Sequence, residues 1–234
     1  MSFWSLDNLR EVTSGRWLAR PTPGDLVEPT GVSTDSRTLQ RGQAFVALSG
    51  DRFDGHEYLG DAFKRGASLA IVERDNVLDA VAPHAAAVLR VDSTITALTR
   101  MAAAYRRTLS ASVIAITGSV GKTTTKQMTH AALSVACRGQ AAPRSYNNHI
   151  GVPLTLLAAD PKDQYVIVEV GTNAAGEINA LARIIEPDVA VITHIGHAHL
   201  EKLGGLEGVA VEKAALLRHL REGGLAIVNG DAPH

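Results

Sequence analysis

Cysteine is almost missing from this 234-residue chain: Cys137 is the only one. It can form no internal disulfide and has no second thiol with which to build a metal cage. The stretch Ala131-Ala132-Leu133-Ser134-Val135-Ala136-Cys137 has an apolar helical pattern, so we expect a small buried hydrophobe at its end. Aromatics are scarce, at 4%, which leaves Ala, Val, Leu and Ile to build the core. Neither sign of charge is in excess. Lys and Arg number 23 and Asp and Glu 24, so there is no bulk basic field for nucleic acid and no solvating acidic tail. No apolar run is long enough to span a bilayer. The start, Met1-Ser2-Phe3-Trp4-Ser5-Leu6-Asp7, lacks the basic segment and apolar run of a secretory signal. We therefore expect a soluble, cytoplasmic protein without nucleic acid or a membrane span as partner.

The length allows one large domain or two small ones. No internal repeat or low-complexity tract interrupts it. Residues 1–92 read as a small α/β unit. Ala44–Leu48 and Leu69–Val72 are short apolar runs bounded by Gly/Asp turns, and Tyr58–Arg65 has helical spacing ending at Gly66. Residues 93–110 read as a connecting helix, with Leu98, Met101, Ala102 and Tyr105 on one face. Residues 111–234 alternate between strand and helix. Continuous apolar runs lie at 113–116, 165–170, 189–192 and 225–228, and helical segments around 122–137, 177–186 and 206–221. Such runs suit strands buried on both faces, and the alternation predicts a mostly parallel sheet covered by helices.

Thr117-Gly118-Ser119-Val120-Gly121-Lys122-Thr123-Thr124 follows the first of these strands and opens a helix. Glycines let backbone N–H groups close on phosphate oxygens, and a helix start adds free donors and a positive dipole end. Lys122 can place a charge on terminal phosphates, and the Thr123 hydroxyl can ligate Mg²⁺. The general phosphate-loop pattern would put glycine at 116, where Ile116 stands. A glycine-rich turn with a surface lysine is the alternative, and the strand–turn–helix context argues against it. Glu169, near the end of an apolar strand, would face the crevice at the carboxyl end of the sheet as a hard oxygen ligand for Mg²⁺. His194, His197 and His199 cluster after the strand at 189–192. Together they could suggest zinc, although polar loop histidines are the plainer reading of His194 and His197.

The shortened loop resembles the ATP loop of the Mur ligases and of the related folylpolyglutamate synthases. Ser33-Thr34-Asp35-Ser36-Arg37, Gly42–Leu48 and Asp54-Gly55-His56 are similar to the UDP-binding domain of Mur ligases. Asn147–Leu154, Glu169-Val170-Gly171-Thr172-Asn173, Gly176-Glu177-Ile178 and Ala198-His199-Leu200-Glu201 resemble the members acting on the muramoyl tripeptide. The resemblance implies an α/β chain: a UDP-precursor-binding domain, then a phosphate-loop central domain that is incomplete here. It implies ATP and Mg²⁺ as cofactors, and UDP-N-acetylmuramoyl-tripeptide and D-alanyl-D-alanine as partners of a monomeric amide ligase. Gly118, Ser119, Val120, Gly121, Lys122, Thr123 and Thr124 would bind ATP. Asp35, Ser36, Arg37, Thr172 and Asn173 would bind substrate. Thr123, Glu169, His199 and a carbamylated Lys213 would hold metal. Lys122, Asn147, Asn148, His199 and Lys213 would form the catalytic set. Asn147 and Asn148 are turn formers or substrate holders by residue type, and the resemblance implies the second. Lys213, by residue type alone, is a solvated helix lysine. Three positions depart from the family: Ser145 and His194 stand where asparagine is usual, and Ala215 where an acid is frequent. Family members continue into a third domain that this chain does not supply, so a non-catalytic UDP-precursor- or nucleotide-binding module is the alternative function. The Asp-Ser-Arg segment argues against a folylpolyglutamate-type ligase.

Overall fold

The computed structural model describes residues 2–20, 27–51, 53–81, 87–143, 145–196 and 203–231. Two compact units divide between Ala104 and Tyr105. This boundary falls inside the helix expected to connect them.

In the first unit, α1 (Leu6–Thr13) starts at Ser5, whose hydroxyl accepts from the Asn8 N–H, and ends at Ser14 in the left-handed region. The strands are β1 (Arg16–Ala19), β2 (Val32–Ser33), β3 (Ala44–Val46), the hairpin pair β4 (Ser49–Gly50) and β5 (Phe53–Asp54), β6 (Leu69–Val72) and β7 (Ala87–Arg90). Five of them form one sheet in the order β1-β7-β6-β3-β2. Only β1 runs antiparallel to its neighbour. β3 and β6 are buried along their whole length, as their unbroken apolar runs require. Helices α2 (Leu59–Lys64) and α3 (Leu78–Val81) follow β5 and β6. Phe45, Leu59, Phe63 and Val88 share one core cluster. Asp54 accepts from the His56 N–H, and the buried His56 ring spans from Asp54 Oδ1 (2.7 Å from Nδ1) to the Glu73 N–H (2.9 Å from Nε2). That geometry puts the ring proton on Nδ1. The Asp-Gly-His segment is thus a structural latch within this unit. α4 (Thr94–Arg106) buries Leu98, Met101, Ala102 and Tyr105, the face expected of it.

The second unit carries β8 (Ser112–Thr117), α5 (Lys122–Leu133), β9 (Gly139–Ala141), α6 (Gly151–Leu157), β10 (Tyr165–Glu169), α7 (Glu177–Ile185), β11 (Val189–Ile192), α8 (Leu206–Ala214) and β12 (Leu225–Val228). The sheet order is β12-β11-β8-β10-β9, and every pairing is parallel. β8 is central, so its carboxyl end lies between those of β10 and β11. The fully buried Arg106 donates to Ile185 O, Glu186 O and Asp188 Oδ2, each at 2.7 Å, and the same Asp188 oxygen accepts the Val113 N–H. This network fixes the starts of β8 and β11. α5 is shorter than expected. It stops at Leu133, and the Ser134 hydroxyl turns back to Ala131 O. Cys137 therefore lies beyond the helix and only half-buried, packed against Ile116, Tyr165 and Ile167, rather than being a buried helical residue. α8 likewise ends at Ala214, and a short 3-10 turn over Leu217–His219 replaces the longer helix expected to 221.

Candidate active site

Carboxyl ends of parallel strands, followed by turns into helices, gather polar groups at one rim of the sheet. Here the β8–α5 turn and the start of α5 supply several of them. Gly118 (φ 153°) and Gly121 (φ 84°) take backbone conformations that L side chains rarely adopt, and a Cβ on Gly118 would overlap Thr193 Oγ1. The Ser119 N–H donates to His194 O at 2.8 Å, and the Ser119 hydroxyl bonds the Gly196 backbone at 3.0 Å. Thr193 Oγ1 donates to Val120 O at 2.6 Å. The loop is therefore braced from the residues after β11. No side chain caps α5 at Gly121, so its first-turn N–H groups are left for an anion. Val120 and Thr124 are exposed.

Lys122 Nζ folds back onto Gly118 O at 2.8 Å. Burial pulls its pKa below the usual lysine range, while Glu169 pulls the other way. Glu169 is 1% exposed and both its oxygens are engaged. Oε1 accepts from Asn147 Nδ2 at 3.0 Å, and Oε2 from Thr123 Oγ1 at 3.0 Å and Lys126 Nζ at 3.1 Å. Three of the residues named from the sequence, Thr123, Asn147 and Glu169, thus meet directly. Lys126 is a fourth, which the sequence reading did not name. Its spacing of three from Thr123 puts both on one face of α5, but helical spacing does not say which carboxylate lies opposite.

Lys213 is buried at 3% exposure on α8, and its pKa is lowered to about 8 by burial and then by the charge of Lys122, with Glu212 opposing. It is not the solvated lysine that residue type alone suggests. Glu212 beside it accepts the N–H groups of Gly176 and Ile178, both at 2.7 Å, and so closes the start of α7. Glu212 is a second residue that the sequence reading did not name. The Thr172 hydroxyl donates to Ala174 O at 2.7 Å. The Asn173 N–H donates to Glu177 at 2.6 Å and is the chief reason that carboxyl lies below its usual range. The side chain of Asn173 is exposed. Asn148 Oδ1 accepts from Ile150 N (3.1 Å) and Gly151 N (2.9 Å), a cap for α6, and Asn148 is exposed. Ser145 is exposed, and His194 is half-buried beside Gly196. His197, His199 and Glu201 lie outside the described residues.

Among the described residues, no three His, Cys, Asp or Glu side chains gather into a metal cage. A site with one carboxylate and a threonine hydroxyl does suit Mg²⁺, which keeps waters and shares phosphate oxygens instead of taking an all-protein shell.

In the first unit, Asp35, Ser36 and Arg37 form a tight turn. Asp35 Oδ1 accepts the Arg37 N–H at 2.9 Å and Oδ2 pairs with the guanidinium at 2.7 Å. That side-chain bond from Arg37 is the main force lowering the Asp35 carboxyl. Ser36 is buried and Arg37 exposed.

Among the described residues, no helix is long and apolar enough to cross a membrane. The pattern described as Mur ligase middle domain matches residues 116–234, and that described as Mur ligase family, catalytic domain matches 28–107. The UDP-N-acetylmuramoyl-tripeptide–D-alanyl-D-alanine ligase of Bacillus subtilis (strain 168) is 42% identical over 98% of this chain and 49% of its own length. A crystal structure of MurF from Acinetobacter baumannii superposes with a TM-score of 0.85 at 36% identity, again covering 98% of this chain and 49% of that one. The MurF ligase of Thermotoga maritima, solved in complex with ADP, gives 0.74 at 30% identity over 90% of this chain and 47% of that one. The chain spans about half the length of these relatives. Because the middle-domain pattern alone takes in half of the chain, and the loop, Lys122 and Glu169 all fall within it, this chain belongs to the Mur ligase family.

Proposed function

We propose that this chain forms the UDP-precursor-binding and ATP-binding parts of an ATP-dependent amide ligase of peptidoglycan synthesis, joining D-alanyl-D-alanine to UDP-N-acetylmuramoyl-tripeptide. The observation that carries this reading is the braced Gly118–Thr123 loop, with Lys122 and the Thr123–Glu169 pair at the carboxyl rim of an all-parallel sheet. The names of the relatives above supply the two substrates, and the family resemblance implies the route. ATP's terminal phosphoryl group passes to the tripeptide's C-terminal carboxylate, giving an acyl phosphate. The amine of D-alanyl-D-alanine attacks that carbonyl, a tetrahedral intermediate forms and loses a proton, and phosphate leaves. Lys122 leaves Gly118 O to offset charge on the transferred phosphate, and the α5 N–H groups hold its neighbours. Glu169, Thr123 and Lys213 would hold Mg²⁺, with His199 as the family's further ligand. Magnesium, when bound, offsets phosphate charge. Lys213 serves as its carbamate: the neutral Nζ attacks CO2, an N–C bond forms and one proton leaves to solvent, turning a cation into an oxygen ligand. Burial of Lys213 beside Lys122 supports this, because it makes the neutral amine accessible near pH 8. Asn147 orients Glu169, and Asn148, Thr172 and Asn173 face the muramoyl-peptide end. Asp35, Ser36 and Arg37 hold the uridine end, remote from the chemistry, where binding energy anchors the substrate. Nucleotide-linked substrates support a cytoplasmic location, and we read the protein as a monomer.

Titration calorimetry of the chain with ADP and with UDP-N-acetylmuramoyl-tripeptide tests this. Both should bind. Lys122→Ala should weaken the nucleotide by roughly tenfold or more, about 1.4 kcal/mol, and leave the UDP-tripeptide nearly unchanged. Equal loss of both ligands would refute the division of labour between the two units.

A further inference from the structure

We propose that Lys126 is a built-in counter-charge for Glu169, standing in for the divalent cation whenever none is bound. This rests on the reading of Glu169 as a metal ligand. Both partners are almost wholly buried, at 3% and 1% exposure, and their charged atoms are 3.1 Å apart. A carboxylate removed from water requires a partner, and taking away one member of such a pair leaves an uncompensated charge in the interior. Thr123 and Asn147 also bond Glu169, but both are neutral. Lys122 also feels the charge of Glu169, but its ammonium is bonded to Gly118 O. Among the described residues Lys126 is the cation in direct contact with this carboxylate, from the second turn of the phosphate-loop helix. Its ammonium occupies Oε2, so a cation meets a carboxylate already oriented by Asn147 on Oε1. The same ammonium opposes the cation electrostatically, which weakens metal binding before nucleotide arrives with its own negative charge. Lys126 is thus a positioning residue that makes the loop's geometry independent of metal and ties tight metal binding to the nucleotide.

The test uses the full chain and its Lys126→Met, Glu169→Gln and double variants. Thermal midpoints are read in EDTA and in Mn²⁺, and Mn²⁺ binding is followed by electron paramagnetic resonance with and without ADP. In EDTA, Lys126→Met should melt on the order of 10 °C below the parent. Mn²⁺ should recover much of that loss in Lys126→Met while moving the parent little. The double variant should regain stability in EDTA and ignore Mn²⁺. If Lys126→Met is too unstable to purify, a well-folded double variant still supports the proposal and an unfolded one overturns it. The proposal also fails if Lys126→Met is as stable as the parent in EDTA, or if neither Mn²⁺ nor neutralising Glu169 recovers it. Binding of Mn²⁺ with ADP that Glu169→Gln leaves unchanged would instead refute the metal reading of Glu169 itself.

Discussion

Lys213 shows how one residue changes meaning between sequence and structure. In the sequence it is a helix lysine, and only the family resemblance sets it apart. In the structure burial and Lys122 hold it at about 8, from an ordinary 10.5. The sign of its effect on stability follows. Between about pH 8 and 10.5 the unfolded chain binds this proton and the folded one does not, so stability rises with pH across that window. Below it, the charged amine costs the fold up to roughly 3 kcal/mol. In CO2-free buffer near neutrality, Lys213→Met should therefore raise the urea midpoint, and the gain should vanish towards pH 10.5. A flat difference across that range would show that the amine is not perturbed. With ¹³C-bicarbonate, a carbamate signal should grow as pH rises through 8 and be absent from Lys213→Met. In the ligase reaction Lys213→Arg should be inactive, because arginine keeps the charge and forms no carbamate. Near-normal turnover by that variant would remove Lys213 from the site. Thr123, Asn147 and Glu169 were readable in advance because each lies in a distinctive short motif. Lys126 and Glu212 were not, because a charged residue on a helix face is ordinarily solvated and its partner lies on another element.

At the level of elements, α7 depends on two acids that do different work. Glu177 bonds the N–H groups of Asn173 and Ala174 ahead of the helix, and Glu212 reaches from α8 to those of Gly176 and Ile178. The segment from Thr172 to Ile178 is therefore held at both ends. Glu212→Ala would orphan two N–H groups, that of Ile178 in the interior, and should cost about 2–3 kcal/mol. Glu212→Gln keeps one acceptor oxygen and should cost about half as much. Urea midpoints would measure both, and no difference between alanine and glutamine would contradict the capping role. Asn148→Ala should lower stability by about 1 kcal/mol through the cap on α6. If stability stays level while substrate affinity falls, the residue faces the ligand alone. Long apolar strands and the loop-led helix α5 were legible because their periodicity is local. β9, Gly139–Ala141, carries no apolar pattern, and α6 has Pro153 in its first turn, a position proline tolerates but one that masks a short helix. Both depend on what packs beside them.

For the whole molecule, the sequence conveyed two α/β units and a mostly parallel second sheet, because alternation of strand and helix survives without knowledge of contacts. It did not convey strand order. That order puts β8 between β10 and β11, each separated from it in sequence by at least one helix. The consequence is kinetic. Of the strands in the second sheet, β8 emerges first from synthesis and carries the phosphate loop, yet its backbone has no pairing partner until much later residues have been made and have returned to it. Closing such long loops is entropically slow. The loop's braces from Thr193 and His194 arrive with β11, so the site is among the last parts of this unit to assemble. In refolding with pulsed hydrogen exchange, the amides of Val113–Thr117 should gain protection only together with those of Val166–Glu169 and Val189–Ile192, well after the helical amides of α5. Earlier protection of β8 alone would mean that it is held in a non-native pairing while it waits.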